Sequence, residues 1–328
     1  MLSSLYFDKL KFSPATTTKL PCATSNKVRI MNYLYIPIFL AILSLSACGG
    51  GGANVNANTA SSNSPNVVTT PAFTPPSLPK AGIPNNWKLV WADEFDQAGL
   101  PNNAKWNYDV ERNKAGWHNN ELQYYSKERL ENSQVKAGNL LITALKEQLI
   151  NAPDYGGQAY TSARLLTRGK ASWTYGFFEI RARFSCGFGT WPAIWMLGTK
   201  GTWPDDGEID IMEHVGKNKG QILGSAYSNY YNWAAGRGNT KATTIADACD
   251  NFHLYQLYWD KDQLAIAVDG NYYFQFANQK DGDYKKWPFD QPQYLILNLA
   301  IGGDLGGPVS DSALPATMEV DYVRVYQP

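Results

Sequence analysis

The stretch GEIDIMEHVG, residues 207–216, carries three carboxylates within six positions. Glu208 and Asp210 are two apart, so in an extended chain they share one face of a sheet, whereas Glu213, five beyond Glu208, falls on the opposite face. One inserted residue repairs the phase. A β-bulge at Ile211 and Met212 would return Glu213 to the face of the other two acids while Ile209 stays in the core. Three carboxyl groups gathered so closely repel, and one of them must hold a proton at a raised pKa. A neutral acid beside an ionised carboxylate is the pair that cleaves a glycosidic bond. The retaining form of that chemistry needs carboxyls about 5–5.5 Å apart, and the inverting form about 6.5–9.5 Å. Four strand steps of roughly 3.3 Å span about 13 Å, so the strand must curve and the side chains must lean together. Two other uses of the same acids are an ion network and a hard-cation site. The first lacks partners, since no Lys or Arg lies between Lys200 and Lys217. A Ser-His-Asp hydrolase is disfavoured by the absence of a G-x-S-x-G stretch.

The elements that must hold this strand follow a two-residue period. In YGFFEIRARF, Phe178, Ile180, Ala182 and Phe184 alternate with Phe177, Glu179, Arg181 and Arg183. FHLYQLYWD, YLILNLAIGG and VDYVRVY are aromatic or β-branched runs, and QLAIAVDGNYYFQF carries Asp269-Gly270 between two strand-like halves, a two-residue hairpin signal. From Trp87 onward no segment holds an apolar period of 3.6 over three turns, which predicts an all-β sandwich of two antiparallel sheets. Cys186 follows one predicted strand and Cys249 precedes another. If those strands pair antiparallel the two residues meet at one end, and a disulfide is expected, with two buried free thiols as the alternative.

Lys plus Arg equal Asp plus Glu at 29 each, so no net field draws the chain toward nucleic acid or anionic lipid. The three histidines show no ligand-like spacing. The 11 Trp, 20 Tyr and 13 Phe suit a large β core or a sugar-binding cleft.

Residues 1–47 read as a leader with a lipoprotein-type signal peptide. YLYIPIFLAILSLSAC is an apolar run of signal-core length preceded by Lys27 and Arg29, and Leu45-Ser46-Ala47-Cys48 resembles a lipoprotein box that would make Cys48 the acylated residue. An ordinary secretory signal cut near Ala47 is the alternative; both imply export to a bacterial cell envelope or beyond. Residues 48–83, rich in Gly, Asn, Ser, Thr and Pro, cannot bury enough surface to order themselves and are expected to be a disordered linker. Residues 84–328 form the catalytic domain.

GEIDIME, together with TWPAIWMLG upstream, resembles the signature of glycoside hydrolase family 16 in its bulged, laminarinase-like branch. LVWADEF, GWHNNELQYYS, YTSARLLTRGK, YGFFEIRARF, NLAIGGDLGG and VDYVRVY follow the family's order from about Trp87 to the end. The resemblance implies a β-jelly-roll with a concave substrate cleft, and an endo-β-1,3-glucanase tolerant of mixed β-1,3/1,4 chains. Agar or carrageenan cleavage by a relative and a non-catalytic surface glycan-binding module are the alternatives. By position, Glu208 would be the nucleophile, Glu213 the acid/base and Asp210 the residue tuning the nucleophile. Trp191, Trp195, Trp203, Asn120, Arg164 and Tyr227 would line the cleft. Tyr227 and Trp233, in AYSNYYNW, stand where relatives often carry histidines. No cofactor is implied for catalysis. A structural Ca²⁺ near Glu94, Gly138 and Asp321 is implied, as are a β-glucan partner, a membrane contact only through the lipid anchor, and a monomer.

Overall fold

The computed structural model describes residues 73–328. Cys48, the leader and the linker up to residue 72 lie outside the described residues. Two large sheets hold nearly all of the strands among the described residues, and every neighbour within them is antiparallel. One sheet runs in spatial order Asn271–Ala277, Gln263–Val268, His253–Trp259, Gly176–Phe184, Ala316–Gln327, Asn139–Ala144 and Ser133–Lys136, with Lys88–Asp93 also paired to the long C-terminal strand. The other runs Thr240–Thr244, Gln221–Tyr227, Glu208–His214, Thr190–Gly198, Gln293–Ile301, Arg164–Leu166 and Asn107–Tyr108. The strand that carries the acids is therefore interior, with a partner on each side. A short pair, Gln123–Tyr125 with Tyr160–Ser162, is parallel and stands apart from both sheets.

The alternation in the sequence becomes the core. Phe178, Ile180, Ala182 and Phe184 from the first sheet share one cluster with Ile194, Met196, Ile209, Leu295 and Leu297 from the second. A smaller cluster of Leu166, Tyr294 and Ile296 packs with Trp195 and Leu197. These residues alternate with core positions along their strands, so they sit on the far face of the second sheet. On the outer side of the first sheet, Arg181 pairs with Asp321 at 2.6 Å and Arg183 with Glu319 at 2.9 Å. Phe177 departs from the expected outward set: it is fully buried, with the Tyr326 ring 6.3 Å away. Asp269 and Gly270 both take positive φ, 50° and 78°, as a tight two-residue hairpin turn requires.

Two outcomes concern chain connections. The segment read as a free linker through residue 83 is held from Pro76 onward: Gln275 Nε2 donates to the Pro76 carbonyl at 2.8 Å and Gln263 Nε2 to that of Ser77 at 3.1 Å. Its polar composition does not prevent docking, because amide side chains from the edge hairpin supply donors to its backbone. Gly176–Phe184 and His253–Trp259 pair antiparallel, His253 opposite Ala182, so the chain leaves one strand and enters the other at the same end. Cys186 and Cys249 are joined there, their Cα atoms 5.6 Å apart, across 63 residues of sequence.

A loop of that length corresponds to about 4 kcal/mol of unfolded-state entropy removed by the crosslink. The double variant Cys186→Ser/Cys249→Ser should therefore unfold at a lower urea midpoint, with about 3–5 kcal/mol less stability by linear extrapolation. An unchanged midpoint would exclude a stabilising bridge.

Candidate active site

The acid-bearing strand is bulged between its second and third carboxylates. Asp210 lies opposite Ser225 and Glu213 opposite Leu223 on one neighbour; on the other, Asp210 faces Trp195 and Glu213 faces Ala193. Three residues thus advance only as far as two on each flank, so one residue is extra, and both Ile211 and Met212 at the bulge are wholly buried. Glu208, opposite Tyr227, stays in phase with Asp210, and Ile209 between them points into the core. All three acids share the face opposite the core. Gly207, immediately before the strand, has φ 80°, and a Cβ there would strike the Phe289 ring and Pro288 at 2.9 Å, so a larger residue cannot make this entry.

The shared face leaves the three acids in unequal electrostatic states. Burial pushes the Asp210 carboxyl well above the ordinary range, and the charges of Glu208 and Glu213 push it further the same way. Its Oδ2 is buried with no donor facing it, the setting in which a carboxylic acid keeps its proton. Glu208 is also raised by burial, but a hydrogen bond with Asp210, the Trp203 indole N–H and the charge of Arg164 oppose the rise. Glu213 is pushed up to about 7, chiefly by burial and then by the charge of Glu208, against the Trp191 indole Nε1, which donates to its Oε1 at 3.0 Å. The arrangement gives one acid that stays neutral, one that ionises most readily and one poised near neutrality.

The three tryptophans hold different posts. Trp191 is buried and serves Glu213; Trp203 is exposed and donates to Glu208. Trp195 donates to Asn298 Oδ1 at 2.7 Å and lays its ring against Arg164, whose guanidinium carbon lies 4.7 Å from that ring and 5.2 Å from Trp117. Arg164 also pairs with Asp109 at 3.2 Å, both side chains nearly buried, so it is a fixed cation of the acid-bearing face and no solvated strand charge. The Tyr227 hydroxyl bonds Thr240 Oγ1 at 2.8 Å. Asn120 donates to Asp304 at 2.7 Å in an exposed loop and touches none of the three acids by hydrogen bond.

Several residues of this region carried no signal strong enough to be singled out in the sequence. Asn298 Nδ2 donates to the Tyr125 hydroxyl at 3.0 Å, and Gln123 donates to Glu121 at 2.8 Å. Burial raises Glu121, whose charge in turn raises Glu213. A polar Asn inside the apolar run YLILNLAIGG was the available hint for Asn298.

The three positions implied for Ca²⁺ converge by register, since Asp93 lies opposite Val323 and Leu140 opposite Val320. The two carboxylates among them, however, are taken. Glu94 accepts two bonds from Arg324, at 2.9 and 2.8 Å, and Asp321 accepts from Arg181 at 2.6 Å. These two side chains are paired with guanidinium groups and form no acidic cage, so the donors these positions would offer a hard cation are backbone carbonyl oxygens. Among the described residues, the one group of His, Cys, Asp and Glu side chains gathered closely enough for a metal is Cys186, His214 and Cys249, and two of these form the disulfide.

An all-β sandwich that gathers three buried carboxyl groups on one strand, one of them pushed well above the ordinary range and another poised near neutrality, has the constitution of a two-carboxylate glycoside hydrolase. The chain belongs to glycoside hydrolase family 16: the family "Glycosyl hydrolases family 16" matches residues 113–324. It is similar to a beta-glucanase of Rhodothermus marinus, 48% identical over 253 residues that cover 74% of this chain and 86% of the relative. Among solved structures, a non-specific endo-β-1,3(4)-glucanase of the same family superposes with a TM-score of 0.74 at 52% identity, covering 76% of this chain and 94% of that one. The endo-β-1,3-glucanase of Pyrococcus furiosus superposes with a TM-score of 0.68 at 36% identity, covering 76% and 98%. The jelly-roll fold expected from the sequence is that of these neighbours.

Two substitutions probe the proton distribution. Trp191→Phe removes the donor that lowers Glu213, so the group should titrate higher and the alkaline limb of the pH–rate profile should move up from about 7. A limb that stays or moves down would contradict the assignment. Asp210→Asn keeps a neutral hydrogen-bond donor beside Glu208 and should retain more activity than Asp210→Ala, by about tenfold in kcat, the worth of one hydrogen bond to a charged group.

Proposed function

We propose that this chain is an endo-acting, retaining β-1,3-glucanase that cuts laminarin-like glucans and accepts mixed β-1,3/1,4 chains. The observation that carries the proposal is the bulge, which seats Glu208, Asp210 and Glu213 on one face in three different electrostatic states. The substrate class is supported by the activities of the relatives, a beta-glucanase, an endo-β-1,3(4)-glucanase and an endo-β-1,3-glucanase, and by the equal counts of acidic and basic residues, which favour no charged polymer.

In this reading Glu208, the acid with most donors to its ionised form, attacks the anomeric carbon while Glu213 delivers its proton to the departing glycosidic oxygen. The product of that step is a glycosyl ester on Glu208. Glu213, now a carboxylate, takes a proton from water, the water oxygen bonds to the anomeric carbon, and Glu208 leaves. Configuration is retained after two inversions, and Glu213 ends protonated as it began. A pKa near 7 suits both halves, because the same group must give and then take a proton. Asp210 keeps its proton throughout and donates to Glu208, so negative charge on the nucleophile is stabilised without a cation in contact with it. No metal or cofactor enters either step.

The setting belongs to the same proposal. The apolar run ahead of Cys48 and its Leu-Ser-Ala-Cys sequence support an exported protein held to the cell envelope by a lipid on Cys48, acting as a monomer at the end of a Gly/Ser/Thr/Pro-rich tether.

Reducing-sugar release from laminarin by the purified chain is expected, and should persist in a chelator. Glu208→Gln should abolish it with the near-UV circular dichroism unchanged, and Glu213→Gln should cut it by about 10²–10⁴-fold, the usual worth of general acid–base catalysis. Hydrolysis that survives Glu208→Gln undiminished would remove that residue from the role of nucleophile.

A further inference from the structure

Exposed aromatic rings are not scattered over this molecule. Among the described residues six large aromatics are exposed, and four of them, Trp203, Tyr230, Trp233 and Tyr284, lie on three loops, residues 202–207, 228–237 and 281–287. The loops are tied to one another. Asn229 Nδ2 donates to Asp205 Oδ1 at 2.6 Å, the Tyr230 N–H to the Lys285 carbonyl at 2.8 Å, and the Tyr284 hydroxyl to Asp206 Oδ1 at 3.3 Å.

Trp233 is the most exposed of the four, at 62%, yet its loop is fully braced. Asn232 Nδ2 donates to the carbonyls of Ser228 and Asn229, its Oδ1 accepts from the Ala235 N–H, and Arg237 Nε donates to the Tyr230 carbonyl while its guanidinium covers the Tyr230 ring at 4.3 Å. The Trp233 ring stands 6.0 Å from that of Trp203, tilted by 31°, and both keep uncovered surface. Trp203 in turn gives its indole N–H to Glu208. A rigid pair of half-bare indoles, continuous with the acid that meets the anomeric carbon, has the form of a platform for the apolar faces of a sugar chain.

We propose that Trp233 is a specificity-determining residue: it extends the Trp203 surface away from Glu208 and holds glucan units remote from the bond being cut, so that long chains are favoured over short ones. The proposal rests on the glycosidase reading above and adds to it the residue that sets chain-length preference. Where the sequence resemblance leads to a histidine at position 233, this chain has the larger, flat, non-titrating ring. Remote binding of this kind improves capture of the polymer without touching the chemical step, and it should therefore appear in KM.

The test compares wild type with Trp233→Ala and Trp233→Tyr. Reducing-sugar release from laminarin, mixed-linkage glucan, agarose and carrageenan is scored first with the wild-type chain, which tests the glycosidase reading by itself; the variants are then run on whichever polymer is cut and on its short oligosaccharides. Trp233→Ala should raise KM for the polymer about three- to tenfold, the span of one aromatic contact, with a loss that shrinks as the substrate shortens, while Trp233→Tyr recovers most of it. The pH–rate profile should not move. An equal loss on every chain length, no loss on the polymer, or a shift of the pH limbs would each overturn the proposal, and a wild type that cuts none of the four would overturn it together with the glycosidase reading.

Discussion

Three carboxyl groups on one face of one strand are the constraint around which this molecule is arranged. Left in water they would ionise together and repel. Taken out of water on a sheet surface, they cannot all ionise together, because burial penalises every charge and the first ionisation penalises the next. The order in which they ionise is set by what surrounds each one: Glu208 has a donor on either side, whereas a buried oxygen of Asp210 has none. The bulge makes the crowding unavoidable, and here both flanking strands hold its register while the displaced Ile211 and Met212 are covered.

A second layer of polar residues keeps this face from relaxing. Arg164 is clamped between two indole rings and an aspartate, with Trp195 linking it to Asn298 and Asn298 to Tyr125. These residues come from four segments that meet only through the fold. The result is a cation that favours the charged form of Glu208 without any ion pair to it, opposing the rise that burial imposes on that carboxyl.

What the sequence revealed and what it concealed follow from how local each feature is. The break of phase at Glu213 is a property of six residues, and the Asp269-Gly270 turn of two, so both were legible. The pairing of Cys186 with Cys249 needed only the guess that two strands run antiparallel. Asn298 and Tyr125 are 173 residues apart, and no periodicity predicts their hydrogen bond. Phe177 sits among polar neighbours on the outer side of its strand, yet the C-terminal strand brings Tyr326 over it. At Glu94 and Asp321, register brings the expected positions together, but Arg324 and Arg181, unremarkable charged residues in the sequence, take the carboxylates.

The tryptophans show why aromatic content alone was ambiguous. Trp191, Trp195 and Trp203 each place the indole N–H on an acceptor of the site, Glu213, Asn298 and Glu208 respectively, while their rings cover what lies beneath. Phe could supply the cover but not the donor. Lys could supply the donor, but its full charge would hold a neighbouring carboxyl below its ordinary range. A neutral N–H holds the acid in position and opposes the rise in its pKa only in part, which leaves Glu213 near 7. The same residue type thus serves the hydrogen-bonding and the packing of the site together, and a count of rings cannot separate the two uses until the acceptors are located.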